Sequence, residues 1–338
     1  MRTFATLFSG GEGAGVGLRA AGLVHAWGVE CDPDIAAVAA ANGFSLIVAD
    51  VRGVDYGSLP RVDWLHASPV CTRASVANAN ATESADDISM AAAVVRALEA
   101  QCPQVFTLEN VWQYRTFQAF RDICDSLGRL GYFWTYDHCN AADYGVPQTR
   151  RRLILRASRG LLPHLPAPVP WVGWYAAIED LIPTLPESAL APWQLARLPE
   201  ELRESVLVGG GNTQLAQVDS KARVCGEPAF TVTGGTKVTD NRAVLVAGLL
   251  NSDSTTLTTR AGGQPSFTVT TQDNQRDARA CPGARVVAMT PRALARFQSV
   301  PDWYELPTKR ALAAKVIGNM VPPLLMQRIA EGMLEVQP

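Results

Sequence analysis

The chain has 338 residues, of which 18% are charged, with a mean hydropathy of +0.03 and a net charge of −2. These values fit a globular protein with room for one large domain or two unequal ones, and the overall charge argues against a general nucleic-acid binder. No apolar run approaches the ~20 residues of a membrane span. No basic segment with a long apolar core opens the chain. Seven scattered cysteines without paired spacing point to a reducing, cytoplasmic setting, and no Cys-x-x-Cys or histidine cluster predicts a metal site.

Residues 3–8 are a short apolar, β-prone run, followed by Ser9-Gly10-Gly11-Glu12-Gly13-Ala14-Gly15 and a helical-looking segment around Leu18. Strand, glycine turn and helix start make a nucleotide-type loop, whose backbone amides approach a ligand and whose helix N-terminus favours an anionic group. A plain tight turn has the same composition. Residues 25–30 form a second run ending in Glu30, where an acid can accept hydrogen bonds from ribose hydroxyls. Asp32 and Pro33 then read as the cap and first residue of a helix. A third run, residues 46–50, ends in Asp50.

Residues 62–67 form a fourth strand that runs into Ser68-Pro69-Val70-Cys71. A strand ending in a small-residue turn delivers its next side chains to the carboxyl edge of a parallel sheet, where open α/β folds bind ligands. Cys71 is therefore a candidate nucleophile. A merely packed thiol also fits, since free cysteine is among the most buried residue types. Residues 72–85 are small and polar and read as a loop, and residues 86–101 have a helical apolar period. Residues 105–108 form a fifth strand that delivers Glu109, placed either to meet the same substrate or to cap the next turn. A helix over 117–130 and a strand over 132–138 follow. Gln148-Thr149-Arg150-Arg151-Arg152 then leads into a strand at 153–155. Side chains alternate along a strand, so Arg150 and Arg152 can face one way and Arg151 the other. A solvated edge is the plainer reading of the same three arginines.

Composition shifts after Ala157. Residues 158–200 are rich in Pro and Trp, and 206–285 in Gly, Thr, Asn and Gln with β-prone fragments. Within them Glu227-Pro228-Ala229-Phe230-Thr231-Val232-Thr233 is echoed by Gln264-Pro265-Ser266-Phe267-Thr268-Val269-Thr270, read as two similar strand-turn units. Between 221 and 300 there are ten Lys/Arg and five Asp/Glu, a local charge of +5 that a phosphate-tracking face requires and that a solvated face can also produce by chance. A helix starts at Pro291, Gly318-Asn319-Met320-Val321-Pro322-Pro323 forms a loop, and a last helix over 324–336 can pack back on the first domain.

Taken together, these stretches resemble the DNA (cytosine-5)-methyltransferases over nearly the whole chain. The resemblance rests on Leu7-Phe8-Ser9-Gly10, Glu109-Asn110-Val111, Asp143-Tyr144-Gly145-Val146-Pro147 through Arg152, Pro291-Arg292 to Gln298, and Gly318 to Pro323, in that order. It implies an α/β, Rossmann-like, S-adenosylmethionine-dependent methyltransferase sheet with a smaller β-rich target-recognition domain. The expected division is 1–157 catalytic, 158–305 target recognition, and 306–338 returning to the catalytic domain. It further implies that Phe8, Ser9, Gly10, Gly11 and Gly13 hold the methionine end of the donor. Glu30 would hold the ribose and Asp50 the adenine, with Cys31, Val51, Asn319 and Val321 also at the donor site and Asn319 supporting the active-site loops. Cys71 would attack C6 of a cytosine, Glu109 would contact N3, and Arg152 would hold the base carbonyl or the catalytic acid, with Arg150 beside it. The implied partner is double-stranded DNA with the target base flipped out. The implied product is S-adenosylhomocysteine, and the implied protein is a monomer from a restriction-modification or phage setting. The sequence departs from the family pattern at Val70 and Thr72, which flank the cysteine in place of proline and glutamine, and at Glu12, which takes a glycine position. A tRNA cytosine-5 methyltransferase, a C5-modifying enzyme with a variant donor or base, and a DNA-binding module with a degenerate site are the alternatives.

Overall fold

The computed structural model describes residues 1–69, 82–189, 206–208, 222–232, 242–246, 258–259, 267–268 and 284–335. The first half alternates strand and helix: β1 (Thr3–Leu7), α1 (Gly13–Ala20), β2 (Val24–Glu30), α2 (Pro33–Ala41), β3 (Leu46–Val48), β4 (Trp64–Ala67), α3 (Ala85–Gln101), β5 (Val105–Asn110), α4 (Gln118–Arg129), β6 (Phe133–Asn140) and β7 (Arg151–Ser158). The strands form one seven-stranded sheet in the order β3-β2-β1-β4-β5-β7-β6. β1 through β5 pair in parallel, while β7 runs antiparallel to both β5 and β6. The chain winds outward from β1 to β3 and then returns to β4 on the other side of β1. The carboxyl ends of β1 and β4 therefore flank the switch point at which such sheets open a crevice.

Strand residues alternate between two apolar layers, as the pleat requires. Phe4, Trp64, Val105 and Ile154 join one layer, and Ala5, Leu65, Phe106 and Leu155 the other. The second layer is closed by α3 and α4 through residues such as Val94, Leu98, Phe120 and Ile123. The first is closed by α1 and α2, and by three helices from the far end of the chain: α6 (Pro291–Phe297), α7 (Arg310–Asn319) and α8 (Pro323–Leu334). (A one-turn helix, α5, spans Trp174–Ile178.) α1 and α8 approach so closely that a Cβ on Gly17 would meet Gln327 N and Met326 Cβ, both at 2.9 Å.

Local signals explain the helix starts. Asp32 accepts from the amides of Asp34 and Ile35, with Pro33 first in the helix. Ser84 and Asp87 form a reciprocal capping box on α3. Thr290 caps α6 through the Ala293 amide.

Between β7 and α6 lie short strands β8 (Val206–Val208), β9 (Ala222–Val224), β10 (Arg242–Val246), β11 (Thr258–Thr259), β12 (Phe267–Thr268) and β13 (Ala284–Ala288). Four of them form an antiparallel sheet in the order β13-β10-β8-β9, and β11 pairs with β12. Of the twin sequence units, residues 227–232 are described, and Ala229 among them forms an isolated parallel bridge with Gln148. In the second unit only Phe267 and Thr268 are described, and the remaining residues of both units lie outside the described residues. Residues 298 and 304 already join the catalytic layer: Gln298 Nε2 donates to the carbonyls of Ile317 and Met320, and Tyr304 Oη to that of Gly11. No helix among the described residues is long and apolar enough to cross a membrane.

Candidate active site

The carboxyl ends of β1, β2, β4 and β5 open onto a cleft of about 570 Å³. At one end stand Phe8, Gly10, Gly11, Glu30, Cys31, Asp50 and Val51; at the other stand Pro69, Glu109, Arg150, Arg152 and Asn319. Residues far apart in the sequence thus share one cavity. Ser9, Gly13 and Val321 do not line it. The Ser9 hydroxyl lies 2.8 Å from Thr6 Oγ1 and 3.1 Å from the Val29 carbonyl, inside the sheet. Gly13 and Val321 pack on each other behind the wall. Val70, Cys71 and Thr72 lie outside the described residues, immediately beyond Pro69.

Glu30 organises the first end. Oε2 accepts the Gly10 amide at 2.8 Å and Oε1 the Asp32 amide at 2.8 Å. The Cys31 thiol is 3.6 Å from Oε1. Two carboxylate oxygens offer about four acceptor sites, so one further donor can still be received. Burial, with the Glu30 charge beside it, raises the Cys31 thiol above its ordinary range. Asp50 is held differently. It forms a two-oxygen pair with the Arg52 guanidinium, at 2.6 Å for the shortest contact, and also accepts the Arg52 amide. Those hydrogen bonds hold its carboxyl down to about 2. Lys315, on α7, reaches Asp32 at 2.7 Å across the rim.

The other end is built by β5 and β7. Arg152 Nε lies 3.0 Å from Glu109 Oε1, an ion pair largely shielded from water. The two residues stand on neighbouring antiparallel strands, with Glu109 opposite Ile154 in the ladder. Arg150, two residues before Arg152, is buried and donates to the carbonyls of Val232 and Gly318 at 3.0 and 3.1 Å. Burial lowers its guanidinium to about 9, with neighbouring Arg152 adding to the effect. Arg151 is exposed, as alternation requires. Both Arg150 and Arg152 line the cleft, but their partners differ: Arg152 pairs with a carboxylate and donates to its neighbour's carbonyl, while Arg150 reaches the carbonyls of Val232 and Gly318.

Two site residues were not singled out by the sequence. Asn110 Nδ2 donates to the buried Pro69 carbonyl at 3.0 Å, and its Oδ1 accepts the Val111 amide. An asparagine at a strand end is a common turn residue, so the only sequence signal was its place beside Glu109. Tyr304 bonds to Gly11 from 293 residues away, and nothing local announces that contact. Among the described residues, no group of three or more His, Cys, Asp or Glu is placed to hold a metal.

A sequence profile of the C-5 cytosine-specific DNA methylases matches residues 2–335. The chain is 27% identical to the Type II methyltransferase M1.HphI of Haemophilus parahaemolyticus over 349 residues, covering 99% of this chain and 87% of that protein. It is likewise 27% identical to the Type II methyltransferase M.AplI of Arthrospira platensis, over 96% of this chain and 84% of that one. The solved structure of the Entamoeba histolytica methyltransferase EhMeth superimposes with a TM-score of 0.64 at 12% identity, covering 99% of this chain and 98% of the other. The fold and the profile agree: this chain belongs to the C-5 cytosine-specific DNA methylase family and is a DNA (cytosine-5)-methyltransferase.

Proposed function

We propose that the protein transfers a methyl group from S-adenosylmethionine to C5 of a cytosine flipped out of duplex DNA, through a covalent bond between Cys71 and C6. The observation that carries this reading is the single cleft joining Glu30 at one end to the Glu109–Arg152 pair at the other. A donor and a base held at those two ends would share one enclosed space.

The donor end suits an adenosylated sulfonium. Glu30 retains acceptor capacity for a ribose hydroxyl after receiving the Gly10 and Asp32 amides and the Cys31 thiol. Gly11 lets the turn lie close against the end of the chain: a Cβ there would run into Met320 Cε, Val316 Cγ1 and Tyr304 Oη. Phe8, Val29, Ile35 and Val51 supply apolar wall, and Asp50 meets the cleft with its carboxylate already paired to Arg52. When bound, S-adenosylmethionine supplies an electrophilic methyl group. Ser9, Gly13 and Val321 would then act from behind the wall, and Asn319 from the C-terminal end of α7.

C5 of cytosine is a poor nucleophile. Addition of the Cys71 thiolate to C6 would place electron density on C5, which would take the methyl carbon as its bond to the sulfonium sulfur breaks, leaving S-adenosylhomocysteine. Loss of the C5 proton to a base and expulsion of the thiolate restore the aromatic ring. Glu109 would bond to N3 as negative charge develops in the ring, and Arg152 would hold Glu109 in place while facing the base carbonyl. Flipping is needed because C5 and C6 cannot be reached in a stacked duplex.

We assign residues 1–157 to catalysis, 158–305 to target recognition, its last stretch from α6 to Tyr304 packing back on the catalytic layer, and 306–338 to the return. The antiparallel sheet within 206–288 and the local charge of +5 support the second assignment. We also take the protein to act as a cytoplasmic monomer, in a restriction-modification or phage setting. The Type II relatives support the restriction-modification setting.

The test is Cys71→Ala, assayed by transfer of labelled methyl to duplex DNA. Transfer is expected to vanish while DNA binding persists. A duplex carrying 5-fluorocytosine at the target is expected to trap the wild-type protein covalently, because C5 then has no proton to lose. Residual turnover above about one percent, a loss under ~3 kcal/mol, would count against the assignment.

A further inference from the structure

Glu12 combines two costly features. Its backbone is left-handed, with φ 61° and ψ 35°, a conformation that favours glycine. Its side chain is a carboxyl with no exposure to solvent, and such groups are buried only where partners compensate. The surroundings are shaped around it. Thr6 Oγ1, on β1, donates to Glu12 Oε1 at 2.5 Å, and Ser9 Oγ lies 2.8 Å from Thr6 Oγ1, extending the chain of hydroxyls. His25 Nε2, on β2, lies 3.5 Å from the same carboxylate oxygen, its ring boxed edge-on by Phe4 and Phe44. Gly28 and Gly15 leave the space that the carboxylate fills: a Cβ on Gly28 would stand 2.6 Å from Glu12 Oε1, and one on Gly15 would collide with Oε2.

The opposite side of this turn faces the cleft. Glu12 N donates to the Ser9 carbonyl at 2.9 Å and Ser9 N to the Val29 carbonyl at 3.0 Å, closing the turn onto β2. Gly10 and Gly11, between them, line the cavity, and Gly10 N donates to Glu30. The Glu12 carboxylate thus fastens the underside of the two glycines to β1 and β2. We infer that Glu12 is a positioning residue for the donor site, fixing the Gly10–Gly11 backbone and, through the Gly10 amide, the Glu30 carboxylate. The inference rests on the reading of this end of the cleft as the S-adenosylmethionine site.

The experiment measures S-adenosylhomocysteine affinity by calorimetry and ligand-free melting temperature for wild type, Glu12→Gly, Glu12→Gln and Thr6→Val. Glu12→Gly relieves the backbone while removing the anchor. It is expected to weaken binding about tenfold or more, the scale of a lost hydrogen bond to a charged group. Glu12→Gln keeps an oxygen for the Thr6 hydroxyl and is expected to stay within about threefold of wild type. Thr6→Val removes only the donor and should fall between them, so it decides the matter if Glu12→Gly does not fold. Melting that drops while affinity stays within about twofold in Glu12→Gly, or in Thr6→Val where it alone folds, would overturn the inference and leave Glu12 a structural residue. Glu12→Gln binding as weakly as Glu12→Gly would overturn the hydrogen-bond route. A wild-type protein that does not bind S-adenosylhomocysteine would instead overturn the donor-site reading.

Discussion

Asn110 Nδ2 holds the carbonyl of Pro69 at 3.0 Å, which ties the end of β5 to the last described residue before Val70 and Cys71. The bond is buried, so its carbonyl has no water to fall back on. In Asn110→Ala that acceptor loses its partner, and stability should fall by about 1–3 kcal/mol. With Cys71 proposed as the nucleophile, single-turnover methyl transfer should slow by about tenfold or more, because Pro69 leads to it through Val70 in the chain. Urea unfolding and rapid-quench methylation measure the two effects. Unchanged values for both would show that the bond contributes to neither.

Glu109 and Arg152 should behave as one unit. Glu109→Gln keeps the shape but not the charge, and is expected to slow methyl transfer about a hundredfold. Arg152→Ala releases the Glu109 carboxylate from its 3.0 Å partner and should cost a similar factor. If the pair works as the geometry suggests, the double variant will be far less impaired than the product of the two losses. Strict multiplication of the two effects would mean that each residue acts alone.

His66 sits in β4 with Nδ1 2.9 Å from Thr107 Oγ1, and burial pushes its imidazolium down to about 3 from an ordinary 6.5. The unfolded chain therefore takes up a proton below about pH 6.5 that the folded chain refuses. Stability contributed by the neutral ring is complete above that pH and drains away as pH falls toward 3, with about 2 kcal/mol lost by about pH 5. His66→Gln removes the titration. Its unfolding free energy should change less between pH 7.5 and 5 than that of wild type, by about that amount. Parallel pH profiles for the two proteins would refute the assignment.

Tyr304→Phe tests the long-range closure. The phenol donates to the buried Gly11 carbonyl at 2.6 Å, and burial pushes its ionisation well above the usual range, so it remains a donor at all ordinary pH. Loss of the hydroxyl is expected to cost about 1–3 kcal/mol of stability. S-adenosylhomocysteine binding should also weaken, because Gly11 lines the cleft. Full retention of both would indicate that the carbonyl finds another partner.

The local signals in the sequence were strong where the structure obeys local rules. Apolar runs ending in Glu30, Ala67 and Glu109 become strands whose carboxyl ends share one edge, because a β-α-β chain can wind parallel strands only one way. Asp32 with Pro33 marked a helix start, since a cap is made within three residues. The period of two along Arg150-Arg151-Arg152 separated the exposed arginine from the two at the cleft.

Only the tertiary structure decided what each of those side chains meets. Arg150 and Arg152 face the same cleft, yet one donates to the carbonyls of Val232 and Gly318 and the other forms an ion pair with Glu109. Glu12 read as a flaw in a glycine turn, but Thr6, His25, Gly15 and Gly28 make room for it and partner it. The sequence carries propensities that act over a few residues, and these mark the strands and the strand ends where the acids and arginines collect. Partners such as Tyr304 for Gly11 and Gly318 for Arg150 lie 293 and 168 residues away. Such pairs form only when α6, α7 and α8 close the layer over β1 and α1, since burying apolar surface brings them together and local pattern cannot encode it.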